Sequence, residues 1–190
     1  GCLCLVGSEM CIRDRVGGAI RVGGPVTLAA DSAIVTAGNG GDDVKVTGAI
    51  NGPYALLVDA GKGKATLEGV VGGTSALKLL SVGGSTVSLK SVTTTGLQDY
   101  AGTVTLAGDL VSTVGGGIRV GGPVTLAADS AIVTAGNGGD DVKVTGAVNG
   151  AYALLVDAGK GKATLEGAVG GTSALKLLSV GGSAVSLKSV

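Results

Sequence analysis

Residues 44–67 read VKVTGAINGPYALLVDAGKGKATL. Val44-Lys45-Val46 at one end and Ala65-Thr66-Leu67 at the other share an apolar–polar–apolar order. Period-two alternation puts the outer residues of each triplet on one side of a strand and the middle residue on the other. A further apolar run, Ala55–Val58, lies between them, set off by Asn51-Gly52 and Gly61-Lys62-Gly63. Such residues accept the backbone geometry of tight turns. Working outward, the triplet recurs at Val26–Leu28, Val87–Leu89, Val104–Leu106 and Val124–Leu126. Counted from Val26, the intervals between triplets are 18, 21, 22, 17 and 20, which total 98. At that larger period Ile20–Val92 and Ile118–Val190 agree at 69 of 73 positions. The four exchanges are Ile50/Val148, Pro53/Ala151, Val70/Ala168 and Thr86/Ala184, all between small or apolar residues.

A unit of about 20 residues with two or three short strands cannot bury its apolar face alone. Stacking such units places Val on Val and Leu on Leu and makes one narrow, continuous core. The spacing therefore predicts an all-β parallel β-helix, a β-solenoid, of about nine rungs over residues 16–190. At ~4.8 Å per rung it would span roughly 43 Å. Residues 16–117 form the first repeat, with five rungs, and residues 118–190 a second, truncated one, so the chain reads as a piece open at both ends. The alternative is a pair of tandem immunoglobulin-like β-sandwiches, which a 98-residue unit would fit. Those domains have an aromatic-rich core and strands every 8–12 residues or so. This chain has three Tyr and no Phe or Trp, and the nested 20-residue period would go unexplained.

Composition narrows the function classes. Glycine supplies 38 of 190 residues without a G-X-Y register, which excludes collagen. With 45% apolar and 15% charged residues the chain is no disordered tail. Lys plus Arg equals Asp plus Glu at 14 each, so no net field attracts nucleic acid or an anionic membrane. No apolar run approaches the 18 or so residues of a membrane helix.

Residues 1–15, GCLCLVGSEMCIRDR, differ from the rest and hold all three cysteines (Cys2, Cys4, Cys11) and the single methionine, Met10. Leu5–Arg15 resembles the conceptual translation of a sequencing adapter, and the stretch is expected to be an artefactual leader outside the fold. Its arginines follow the apolar run instead of preceding it, unlike a signal peptide. Cys2 and Cys4, with no histidine in the chain, supply too few ligands for a zinc site. The cysteine-free remainder suits export into an oxidising compartment.

Few residues offer chemistry. Gly38–Val44 (GNGGDDV) and its copy Gly136–Val142 match the core of calcium-binding β-roll repeats. Asp42, Asp43, Asp140 and Asp141 are thus the candidate calcium ligands. Calcium needs six to eight oxygens, however, and the motif occurs once per 98 residues. The expected reading is a solvated Asp-rich turn, with no metal and no cofactor. As a catalytic pair Asp42 and Asp43 fail, because neighbours on a strand point to opposite faces and cannot flank one bond. No histidine base is present, and the chain is expected not to be an enzyme. The turn Asp59–Lys64 lacks the leading glycine and the Ser/Thr of a phosphate loop. Thr93-Thr94-Thr95 is a single triplet, too little for an ice-binding face. Tyr54 and Tyr152 are expected at the core edge, hydroxyl to water. The middle residues Thr27, Lys45, Thr66, Ser88 and Thr105 should form an outward polar stripe.

Asn51–Gly61, Lys64–Thr74, Val92–Thr105 and Val26–Asp31 resemble the repeat arrays of large bacterial surface adhesins. These are the filamentous haemagglutinin-type exoproteins and autotransporter passengers, and the resemblance covers residues 16–190. It implies a right-handed β-helix shaft, export to the extracellular side of the outer membrane, and attachment of the full-length protein to a ligand on a host cell or other extracellular surface. On this reading the segment is a non-catalytic spacer that contacts no nucleic acid and inserts in no membrane. The alternatives are a calcium-stabilised β-roll module and a fragment of a β-helix polysaccharide lyase or hydrolase.

Overall fold

The computed structural model describes residues 2–6, 9–13 and 16–190. The described chain is all β, with parallel strands stacked about 22 residues apart in about eight turns of a β-solenoid. The turns are slightly longer than the triplet spacing predicts and correspondingly fewer. Each turn carries three strand positions, and the chain visits three faces in the order I, II, III.

On face I, β3 (Ile20–Val22), β6 (Val44–Val46) and β9 (Lys64–Leu67) stack in register, followed by Thr86–Leu89, Thr103–Leu106 and Val124–Leu126. Their inward residues make the row Ile20, Val44, Ala65, Val87, Val104, Val124, Val148, Val169, each paired with the next. Face II carries Val26, Ile50, Val71, Val92, Leu110, Ile132, Val156 and Val180. Face III carries Ile34, Val58, Val82, Tyr100, Val120, Val144, Leu165 and Leu187. Most of these side chains are fully buried and together form the core. Each buried Val, Leu or Ile contributes roughly 1.5–3 kcal/mol. β-Branched residues dominate because they pack well on a pleated surface, and among the described residues Tyr100 is the one aromatic ring buried with them.

Corners need glycine where the backbone turns left-handed. Gly102, between the face III and face I parts of β12 (Gln98–Leu106), has φ +113°, and a Cβ there would overlap the carbonyl oxygen of Gly84. At the N-terminal edge, β2 (Glu9–Arg13) runs parallel to β5 (Ser32–Val35), and β1 (Cys2–Val6) folds back antiparallel on β2. The side chains of Cys2, Cys4 and Cys11 lie outside the described residues.

The long repeat and the turn do not coincide. From Ile20 to Ile118 the chain passes fourteen strand positions, so 98 residues cover four and two-thirds turns, not five. The first triplet interval explains the difference. Val26 sits on face II and Val44 on face I, so that interval crosses two strand positions while every later one crosses three. Accordingly Ile20–Val22 lies on face I, yet its copy Ile118–Val120 lies on face III, stacked on Gln98–Tyr100.

Candidate functional site

The acidic turns are built as ties between successive turns of the solenoid. Asp42 is 6% exposed, so it is not the solvated side chain expected from sequence. Its carboxylate accepts N–H bonds from Asn39 (3.0 Å) in its own turn and from Gly18 (2.8 Å) one turn earlier. Asp43 reaches the other way and accepts the Lys64 N–H at 2.8 Å, one turn later. The copy repeats the arrangement. Asp140 accepts from Gly116 (2.7 Å), from the Asn137 N–H (3.1 Å) and from the Asn137 side-chain amide (3.0 Å), and Asp141 accepts from Lys162 (2.8 Å). Backbone N–H donation from Asn39 and Gly18 holds the Asp42 carboxyl below the usual range against the opposing effect of burial. Donation from Gly116 and Asn137 does the same for Asp140. Neighbouring acids reach in opposite directions along the axis, but they do so from the turns before Val44 and Val142 and not from a strand, as the sequence argument assumed. Among the described residues, no three His, Cys, Asp or Glu side chains gather where a metal could be held.

Other polar side chains serve the same purpose. Asp31, Asp109 and Asp129 cap the N–H groups of Ala55, Ala131 and Ala153 one turn on, at 2.8–2.9 Å. Asn51 caps both Thr74 (2.9 Å) and Ser75 (3.1 Å), and Asn149 caps Thr172 and Ser173 in the copy. In the basic turn after Asp59 the N–H groups are already bound. Gly61 donates to Asp59, Lys62 to the Gly38 carbonyl and Gly63 to the Ala60 carbonyl. That leaves no cradle of N–H donors for a phosphate.

The outward stripe exists on face I, where Arg21, Lys45, Thr66, Ser88, Thr105, Thr125 and Asn149 stand directly over one another. Thr27 leaves it, because Val26-Thr27 lies on face II beside Asn51. Lys45 bridges to Glu68 (2.8 Å) and, in the copy, Lys143 bridges to Glu166 (2.9 Å). On face III, Asp99, Arg119 and Lys143 are stacked in register and line, with Asp141 and Thr145, an open groove of about 470 Å³. Both signs of charge and open access give it the chemistry of a solvated surface trough. Thr94 of the threonine triplet is buried, and its hydroxyl donates to the Gly96 carbonyl at 2.6 Å. Thr93 stacks against Val111, so the triplet does not extend into a threonine array on its face. Tyr54 packs on the core edge as expected, whereas its copy Tyr152 is 39% exposed.

The sequence reading missed a polar network inside the core. Gln98 and Tyr100 are both fully buried. The Tyr100 hydroxyl donates to Gln98 Oε1 at 2.9 Å, and Gln98 Nε2 donates to Thr94 Oγ1 (3.1 Å) and to the Val111 carbonyl (2.9 Å). Burial, with the Asp99 charge nearby, pushes the Tyr100 hydroxyl well above its ordinary value. The signal was present: Gln98 is the single glutamine in the chain, two residues from Tyr100 and hence on the same strand side.

Comparison with protein-family models, with curated proteins and with solved structures found no match.

Proposed function

We propose that this chain is a non-catalytic shaft segment of a secreted or cell-surface bacterial adhesin, spacing a binding region away from the cell. The observation that carries the reading is the unbroken stack of in-register inward rows, shared by all three faces and tied from turn to turn by aspartate and asparagine caps. Most aspartate and asparagine side chains with a defined partner hold the backbone of an adjacent turn, while Asp59 and Asp157 cap their own turns and Glu68 and Glu166 pair with lysines. That is the design of a spacer. Attachment to a host-cell or extracellular ligand belongs to the full-length protein, and the Arg, Lys, Thr and Ser row of face I is the surface this segment offers to it.

The test is antibody labelling of the intact bacteria that encode the protein, paired with in-frame removal of residues 20–117. The expected result is labelling without permeabilisation, and attachment that is weakened but not abolished by the deletion. Labelling only after permeabilisation, or attachment indifferent to the deletion, overturns the reading.

A further inference from the structure

The two near-identical copies are the same object held at different angles. Gly61 and Gly159 have φ +55° and +54°, and Gly72 and Gly170 both have φ +72°. The Asp43–Lys64 and Asp141–Lys162 bonds are both 2.8 Å, and the Asn51–Thr74 and Asn149–Thr172 bonds both 2.9 Å. Yet Lys45 stands on face I and Lys143 on face III. Identical local structure on different faces means that the interior is close to three-fold equivalent. Each face accepts the same residues.

We infer that the 98-residue unit is an indexing step: each copy displaces its successor roughly 22 Å along the axis and onto a neighbouring face of the coil. Fourteen strand positions per copy leave a remainder of two on division by three faces. Three copies therefore make fourteen whole turns and return to the starting face. The exposed Arg21–Lys45–Glu68 patch of copy one recurs as Arg119–Lys143–Glu166 pointing in another direction. A compact partner of about 100 residues is some 30 Å across. Two of them would collide on one face at a spacing of roughly 24 Å, but fit on two faces. As a way of presenting partners the inference rests on the shaft reading; as geometry it does not.

Pulsed dipolar spectroscopy on the full chain, with its three cysteines replaced by serine, reads the step directly. Spin labels at Lys45→Cys and Thr125→Cys, four turns apart on one face, should lie about 19 Å apart. Labels at Lys45→Cys and Lys143→Cys should lie about 30 Å apart, since faces roughly 20 Å wide have midpoints about 10 Å apart and the outward reach of labels on faces about 120° apart roughly doubles that separation. A Lys45–Lys143 distance of about 24 Å, equal to five whole turns on one face, overturns the inference. In a variant with residues 20–117 duplicated after Gly117, the equivalent lysines of the second and third copies should repeat the longer distance with unchanged β signal per residue. Loss of that signal, or a changed distance, also overturns it. These readouts report the step wherever the protein works, and cell labelling reports location whatever the step.

Discussion

The repeated body and the segment between its copies, residues 93–117, fill the same interior in different ways. In the body the inward rows are mainly Val, Leu, Ile and Ala, with Ser130 beside Leu154 as a polar exception. In the segment they include Gln98, Tyr100, Thr94 and Ser112, all essentially inaccessible to solvent and all hydrogen-bonded. Apolar rows stack on almost any similar row, because the hydrophobic effect has no direction. A buried amide has a short list of acceptable partners, and leaving it unpaired costs about 1–3 kcal/mol. With two bodies that are 69/73 identical, the apolar rows alone would tolerate pairing with the wrong copy. The Gln98–Tyr100 network has no copy in either body, whereas the Asp and Asn caps recur in both.

The largest effect should come from the segment's corner. Gly102→Ala forces a Cβ onto the Gly84 carbonyl and an alanine into φ +113°, so a loss of more than about 3 kcal/mol is expected in urea unfolding. Gly40→Ala, in a turn of the body with open space around it, should stay within about 0.5 kcal/mol. Next comes the network itself. Gln98→Ala strands the Tyr100 hydroxyl and the Val111 carbonyl and opens a cavity, for about 3 kcal/mol. Leu80→Ala, in the row directly beneath, should cost a similar amount through the cavity alone. The contrast lies in the double variant Gln98→Leu/Tyr100→Phe, which removes both partners and should recover most of the loss. Strict additivity in that double-mutant cycle would break the distinction between the two regions.

Titration should separate the regions more gently. Unfolded tyrosine ionises near pH 10, whereas folded Tyr100 stays neutral to higher pH. Stability therefore falls as pH rises past about 10, and Tyr100→Phe should remove that part of the fall. Asp42 and Asp140 behave in the opposite sense. Their carboxyls are held below the usual range, so their contribution is complete above the unfolded value of about 3.9 and is lost as pH falls through the lowered folded values. Asp140→Asn should flatten the acid limb of an unfolding-midpoint profile. The smallest effect belongs to the exposed pairs. Lys45→Ala and Lys143→Ala should each cost less than about 1 kcal/mol, equally in both copies and less at high salt.

The solenoid itself was legible because its signal is periodic: apolar triplets at near-even spacing and glycine corners leave little other architecture. The phase was not, because Val26-Thr27-Leu28 and Val44-Lys45-Val46 look alike in sequence while lying on different faces. Strand alternation reports which side of a strand is buried, never which face of the coil it belongs to. The same limit put Thr27 in the wrong stripe. At the acidic turns the sequence identified the right residues for the wrong environment. The bonds that bury Asp42 and Asp140 come from Gly18 and Gly116, each 24 residues away, and that proximity arises only when turns stack.

Parallel pairing between successive turns also has a mechanical side. Strands run around the coil, so the backbone hydrogen bonds that join one turn to the next lie nearly along its axis. Bending the rod must compress or stretch whole rows of them at once. Tension applied at the two ends instead loads them in series, and the end turn can peel while its neighbours stay intact. Each released turn of about 22 residues yields some 75 Å of slack. A solenoid paired this way would resist bending and lengthen stepwise under load, dissipating a sudden pull one turn at a time.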